Sequence, residues 1–83
     1  MLNFDRFLSL PIKVKTFSLN DLCGSFIEAY YTGILDDIDD EYQTIYLTKA
    51  YKVCGNKVDW LETISLPIAD IIDVSNGDEI LKL

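Results

Sequence analysis

Histidine is absent from this chain of 83 residues, and cysteine, proline and glycine are scarce, with two, two and four copies. Without histidine the chain lacks the commonest general base and the commonest metal-binding nitrogen. No serine, cysteine or lysine stands in a recognisable nucleophile motif, and no glycine-rich loop is present to hold phosphates. We therefore expect a protein that is not an enzyme and has no catalytic residues, no cofactor and no metal site.

The cysteines, Cys23 and Cys54, are too few and too far apart in sequence for a zinc knuckle or a disulfide framework. The chain shows no signal peptide, and no apolar run approaches the roughly 20 residues that a membrane span needs. These absences predict a cytoplasmic protein that does not enter a membrane. Because cytoplasmic thiols stay reduced, we expect both cysteines to act as small hydrophobic residues rather than to pair.

Basic residues are also few: seven, against fourteen acidic ones, for a net charge of −7. Nucleic-acid binding usually depends on lysine and arginine, so we expect binding to nucleic acid to be weak. We interpret the acidity mainly as a source of solubility, and as a second explanation consider a partner with a basic face. The densest acidic run, Asp36–Glu41, lacks the spacing of a calcium loop, and we interpret it as a solvated turn.

Most of the sequence has the pattern of β-strands. Ile12–Phe17 alternates strictly between apolar and polar residues, which is the mark of a half-buried strand. β-Branched and aromatic residues dominate most of the chain after Ser25, interrupted by turns rich in Asp, Asn and Gly. Five strands are predicted in all, over 12–17, 25–35, 42–53, 58–66 and 68–74.

The first ten residues differ from this pattern. Their apolar side chains recur at helical spacing, which predicts a short helix that Pro11 ends. A chain of this length has room for one domain, so we expect residues 1–83 to form a single barrel over 12–74, between that helix and a tail over 75–83. Gly33 lies inside the second predicted strand and marks the sharp bend that a small barrel needs.

The order of these elements resembles that of the Sm-like family, which includes bacterial Hfq. Tyr31–Leu35 matches the aromatic-x-Gly-x-Leu run of the family's second strand, and Asp39 lies where the family has an aspartate in the following turn. Tyr42 and Thr44 occupy the positions of the family's aromatic residue and asparagine, and Ile64–Val74 resembles the strand 4–5 segment. The resemblance implies a mainly β fold, a small five-stranded Sm-like barrel with a short N-terminal helix.

The resemblance also implies a binding site. In RNA-binding members the aromatic residue stacks on a base, the asparagine reads its edge, and an arginine supports the asparagine. Here Tyr42 keeps the ring, but Thr44 replaces the asparagine and Pro67-Ile68 replaces the family's Arg-Gly. We therefore expect Tyr42, Thr44 and Asp39 to contact a ligand. Because the asparagine and the arginine that recognise the base are both replaced, uridine recognition of the kind seen in the family is not expected.

Self-association is a further implication, since in Sm-like proteins the fourth strand of one subunit pairs with the fifth strand of the next. The fifth predicted strand is apolar and has neither lysine nor an internal proline to protect its edge. A short chain also has little core of its own, and association buries more apolar surface. We expect a homo-oligomer whose interface contains Ile64, Leu66, Ile68, Ile71 and Ile72.

Three functions fit these observations. The first is a non-enzymatic, oligomeric Sm-like module that binds a nucleotide, RNA or a peptide. The second is an acidic interaction protein, such as a phage-type anti-defence inhibitor, that occupies a basic nucleic-acid-binding surface on a protein partner. The third is a structural subunit of a larger assembly. The five tyrosines and Trp60 fit both barrel packing and a protein interface, and both interpretations stay open.

Overall fold

The computed structural model describes residues 4–24 and 27–77. A helix, α1 (Phe17–Cys23), follows the first strand directly, and single 3₁₀ turns lie at Asp5–Phe7 and Ile68–Asp70. No helix among the described residues is long and apolar enough to cross a membrane. The five strands are β1 (Pro11–Thr16), β2 (Ala29–Asp39), β3 (Thr44–Cys54), β4 (Lys57–Pro67) and β5 (Ile71–Asn76).

The strands form one antiparallel sheet in the order β4-β3-β2-β1-β5, so β4 and β5 are its edges. The pairing of β2 with β3 shifts register around Gly33, and the pairing of β3 with β4 shifts around Ala50. Such bulges bend strands and increase their twist. The predicted fold class, mainly β with five strands, is confirmed.

One face of the sheet carries the hydrophobic core. Cross-strand partners lie on the same face, and the pairs Leu35–Leu47 and Ile45–Leu66 bring apolar residues together there. Burying a side chain of this size contributes about 1.5–3 kcal/mol. The buried core residues are Phe4, Ile12, Val14, Leu35, Ile45, Leu47, Ala50, Leu66 and Ile71.

The helix α1 lies between the first two predicted strands, in a segment for which the sequence predicted no helix. The Thr16 side chain caps it by accepting a hydrogen bond from the Leu19 backbone N–H at 3.2 Å. Gly24 ends it with φ +89°, a value that favours glycine. Leu19 is fully buried, whereas Leu22 is 80% exposed. The helix therefore depends on its caps as much as on packing.

The predicted N-terminal helix is only one 3₁₀ turn, Asp5–Phe7, with residues 1–3 outside the described part. The backbone after it is already bonded to β2: the Ser9 N–H donates to the Leu35 carbonyl at 2.7 Å, and the Leu35 N–H donates to the Leu10 carbonyl at 3.1 Å. A segment this short nucleates a helix poorly, and these bonds to the sheet outweigh its helical periodicity.

Other predicted boundaries shift as well. The acidic residues 36–39 belong to β2 rather than to a turn, because they pair with the start of β3. The last strand begins at Ile71, since residues 68–70 form a 3₁₀ turn, and it continues to Asn76, into the predicted tail. The rest of that tail, residues 78–83, lies outside the described residues.

The expectation that both cysteines are reduced is wrong for this structure, in which Cys23 and Cys54 form a disulfide with their Cα atoms 6.0 Å apart. The bond joins the last residue of α1 to the last residue of β3. This pairing could not be predicted from the sequence, because the two cysteines are 31 positions apart and meet only when α1 folds back beside the end of β3. The disulfide thus anchors the weakly packed end of α1.

Substitution of Gly33 should destabilise the fold, and a larger side chain at this position should destabilise it more. A Cβ there would lie 3.0 Å from the Thr48 carbonyl oxygen and 3.1 Å from Cα and Cβ of Ala50. We expect Gly33→Ala to lower the free energy of unfolding and Gly33→Val to lower it further, by about 1–3 kcal/mol, because backbone cannot move aside cheaply. Urea unfolding would measure both, and a valine variant as stable as the wild type would contradict the close approach.

Removal of the disulfide should also lower stability. Closing a loop of this length corresponds to roughly 3–4 kcal/mol in chain-entropy models. We expect Cys54→Ser and the fully reduced protein to unfold at lower urea concentrations and by similar amounts. The control is mass spectrometry after alkylation in denaturant: no label should be added without reductant, and both cysteines should be labelled with it. Labelling without reductant would show that the thiols are free.

Candidate functional site

The turn between β2 and β3 holds the three predicted ligand-binding residues. The Asp39 carboxylate oxygen Oδ1 accepts hydrogen bonds from the backbone N–H groups of Glu41 at 3.0 Å and Tyr42 at 3.1 Å. Gln43 adopts φ +50°, and its side-chain amide donates to the Asp40 carbonyl at 2.6 Å. The Thr44 hydroxyl donates to the Tyr42 carbonyl at 3.0 Å. The turn is therefore fixed by its own side chains.

A second loop lies against this turn. The Ile68 N–H donates to the Gln43 carbonyl at 2.8 Å, and Thr44 is the cross-strand partner of Pro67. The two segments that carry the sequence resemblance to Sm-like proteins are thus brought together. The structure places Asp39, Tyr42 and Thr44 in one turn and Ile68 beside it.

The roles open to these residues differ. The Asp39 carboxylate and the Thr44 hydroxyl both bond to the backbone of the turn, which limits what they can offer a ligand. Tyr42 is 73% exposed and presents its ring to solvent. A planar aromatic surface stacks on bases, on other aromatic rings and on guanidinium groups. Of the three predicted ligand-binding residues, Tyr42 is therefore the one whose side chain is open to a partner.

The acidic residues around the turn do not form a metal centre in the structure. Within residues 4–24 and 27–77, no group of three or more acidic, cysteine or histidine side chains is arranged to hold a metal ion. Asp36 and Asp40 are exposed, and Asp37 accepts a hydrogen bond from the N–H of Ile38 at 2.8 Å. Asp40 and Glu41 directly precede Tyr42 in the chain, so the turn carries negative charge near this residue.

The five predicted interface residues fall into two groups. Leu66 and Ile71 are buried in the core of the chain, and Ile64 and Ile68 are partly buried against it. Ile72, which is 39% exposed, is the one member that projects largely into solvent. All five lie on or between the edge strands β4 and β5. Ile72 is therefore the side chain of this set that is most available to another protein.

A tertiary contact near this region was not predicted. Asp70 accepts two hydrogen bonds from Ser18 at the start of α1, one from the backbone N–H at 3.2 Å and one from the hydroxyl at 2.5 Å. Burial raises the pKa of Tyr31 above its ordinary value, and the charge of Asp70 raises it further. Asp70 thus ties the loop before β5 to α1, by a contact too distant in sequence to be read from a local pattern.

The face opposite the core, here called the outer face, has an aromatic pair at the β3–β4 end, in which Tyr51 is buried and Trp60 is exposed. Tyr51 and Trp60 are cross-strand partners with ring centroids 5.2 Å apart, and Val53 pairs with Val58 in the next row. Burial raises the pKa of Tyr51, although a hydrogen bond with Thr32 opposes that effect. Trp60 is 60% exposed. The sequence signalled this surface only through its abundance of aromatic residues.

The comparisons with known proteins concern the fold. No family model matches the sequence, and no curated protein matches it significantly. A heptameric archaeal Sm protein is similar in structure, with a TM-score of 0.68 at 15% identity over 90% of this chain and 96% of that one. A chain of the NatC complex bound to CoA gives 0.67 at 14% identity, over 96% of this chain and 90% of that one.

A chain of the NatC complex bound to a Gag peptide and CoA gives a TM-score of 0.66 at 13% identity, over 94% of each chain. At these identities the matches show the fold alone. The chain has the Sm fold, and the similar structures come from a heptamer and from a complex of several proteins.

Replacement of Asp70 by alanine should weaken the docking of α1. We expect a loss of about 1–2 kcal/mol in the free energy of unfolding, because the first turn of α1 loses an acceptor. The pKa of Tyr31 should move down towards its ordinary value, since a negative charge is removed. Urea unfolding and the absorbance of tyrosinate would measure the two effects.

The matched control is Asp73→Ala, which removes an exposed aspartate from β5. It should leave both the stability and the tyrosine titration close to those of the wild type. Equal effects of the two substitutions would show that charge alone, and not the bonds to Ser18, accounts for the change.

Proposed function

Starting from an Sm fold whose two edge strands are unpaired among the described residues, we propose that this protein is a non-enzymatic assembly and binding module whose copies associate through β4 and β5. The observation that carries the proposal is the open sheet itself, in which β4 and β5 each have one neighbour only. Unpaired N–H and C=O groups on an edge attract another strand. Antiparallel addition of the β5 of one copy to the β4 of the next would pair the β5 edge and part of the β4 edge.

The side chains at these edges support such pairing. Ile64 and Ile68 are only partly buried, and Ile72 is exposed, so a neighbouring copy would cover apolar surface that folding leaves accessible. Leu66 and Ile71 already pack in the core, so they would support the interface by holding the edge strands in place. The two kinds of similar structure, a heptamer and a multi-protein complex, fit an assembly function.

We place the ligand site of this module at Tyr42, supported by Asp39 and Thr44. Ile68 follows β4 and bonds to this turn, so association through β4 would put a neighbouring copy close to the site. The exposed ring favours a ligand with a flat surface, such as a nucleotide, an RNA base or an aromatic peptide residue. The net charge of −7 and the surrounding acids oppose polyanions, so RNA would bind weakly.

A second candidate function is an acidic interaction protein that binds a basic partner. Both edge strands carry acidic residues, Asp59 and Glu62 on β4 and Asp73 on β5. In a homo-oligomer these charges come near one another, and their repulsion grows with the number of copies. A partner with lysine or arginine at its edge would remove that repulsion. The third function, a structural subunit of a larger assembly, shares the same edges.

Native mass spectrometry of the purified protein tests the proposal, since it reports both stoichiometry and any retained ligand. We expect an oligomer for the wild type and a monomer for Ile72→Lys, because a charged side chain at an exposed edge position opposes the docking of another strand. Ile72 is preferred to Ile71 for this test, since Ile71 is buried and a lysine there would unfold the chain.

The matched control is Leu22→Lys, the same kind of change at an exposed apolar residue of α1, away from both edges. This variant should keep the wild-type mass, and circular dichroism should show the same strand signal in all three proteins. A monomeric mass for the wild type across micromolar concentrations would refute self-association.

A further inference from the structure

On the outer face, one row of cross-strand partners crosses the whole sheet, and its side chains change from aromatic to polar along the row. Cross-strand pairing connects its members one strand at a time, so their side chains share the face opposite Ile12 and the core. The row is aromatic at the β4 edge and polar at the β5 edge. Its members, from β4 to β5, are Trp60, Tyr51, Thr32, Lys13 and Ser75.

The next row continues the apolar surface at the β4 end. Val58 pairs with Val53, and Val53 pairs with Tyr30. The ammonium group of Lys13 lies 4.2 Å from the centre of the Tyr30 ring and 3.4 Å from the Glu28 carboxylate. Trp60 and Val58, at the very edge of the sheet, are 60% and 42% exposed. The apolar surface is therefore open where the sheet ends.

Self-association through β4 and β5 would leave this surface uncovered. β4 has eleven residues and β5 has six, so one β5 can pair with only about half of β4. The outer face of β5 is also polar there: Ser75 pairs with Lys13 and Asp73 pairs with Lys15. A β5 strand beside Trp60 would place a carboxylate next to apolar side chains. The edge of β4 that precedes the bulge at Glu62 would therefore stay open to a strand from a different protein.

The chemistry of that occupant depends on the edge it would meet. Lys57–Leu61 presents unpaired backbone groups, apolar side chains on the outer face, and Asp59 on the other face, where Asp59 lies 3.8 Å from Lys52. A strand added there would place apolar residues beside Val58 and Trp60 and its alternate residues beside Asp59. Lys57 lies on the same face as Asp59 and offsets its charge. Glu62 and the net charge of −7 leave acidic charge in excess, which favours lysine or arginine at the alternate positions.

We propose that Lys57–Leu61 of β4 is a docking edge for an extended segment of a second protein, with alternating apolar and basic residues, that adds to the sheet as a new strand. The inference rests on the second of the proposed functions and names its surface and the kind of partner. Main-chain hydrogen bonds along β4 would supply affinity, and the pairing with Trp60, Val58 and Asp59 would supply specificity.

Trp60 is the single tryptophan of the chain, so its fluorescence reports directly on this edge. The probe is a synthetic peptide of alternating valine and lysine, long enough to span Lys57–Leu61. We expect its addition to shift Trp60 emission to shorter wavelength, and to protect the amides of Lys57–Leu61 from hydrogen exchange. A peptide of alternating valine and glutamate should bind at least about tenfold more weakly, a difference of about 1.4 kcal/mol.

Four controls separate strand addition from other modes of binding. N-methylation of alternate peptide residues on the pairing side should abolish binding, since it removes the donors that face β4. Val58→Thr, which keeps the shape of an exposed edge residue but makes it polar, should weaken binding. Leu22→Lys, at an exposed residue of α1 away from both edges, should not change it. A proline-rich basic peptide, which cannot add as a strand, should bind poorly.

Equal binding of the N-methylated or the proline-rich peptide would overturn the proposal, as would unchanged binding to Val58→Thr. The self-association test has an independent outcome. A monomeric wild type that binds the valine-lysine peptide would refute the homo-oligomer and support this docking edge. An oligomeric wild type that binds none of the peptides would support self-association and refute the docking edge.

Discussion

The close approach of β2 to β3 at Gly33 is the contact on which the rest of this structure depends. The backbone of β3 lies where a side chain of β2 would otherwise be, and the pairing of the two strands shifts register at this point. Such a shift bends both strands, and the bend allows a single sheet of five strands to carry a shared core on one face. Without that bend, Ile12 and Leu35 could not both be fully buried beside Leu47.

A bent sheet that does not close has a second consequence, because within residues 4–24 and 27–77 it leaves β4 and β5 as edges with one neighbour each. The chain places Asp59 and Glu62, against the single Lys57, on one edge and Asp73 on the other, and a net negative charge on both edges opposes uncontrolled pairing between copies. The same charge attracts basic strands. Affinity for other proteins and protection from aggregation therefore come from one feature, and the balance between them depends on the partner.

The sequence predicted what depends on local alternation and missed what depends on tertiary contacts. The strands were found because Ile12–Thr16 and the β-branched runs repeat with period two. The helix α1 was missed because seven residues show little periodicity, and because its stability comes from Thr16, from Asp70 on a distant loop and from the disulfide to Cys54. The sequence also placed Asp39 and Tyr42 at the connection between β2 and β3, but the hydrogen bonds that occupy the Asp39 carboxylate are visible only in the structure.

The position of Trp60 on the outer face shows why this part of the surface could not be predicted from the alternation of residues in the sequence. Trp60 and Leu66 are an even number of residues apart, so strict alternation would put both on one face. One bulge of β4 lies between them, with φ +63° at Glu62, and the partner strand β3 has a bulge of its own, with φ +51° at Lys49. Leu66 then pairs with Ile45 on the core face, while Trp60 pairs with Tyr51 on the opposite one. The exposed tryptophan is thus a product of backbone geometry, because the bulge at Glu62 reverses the alternation that would otherwise place Trp60 on the face of Leu66.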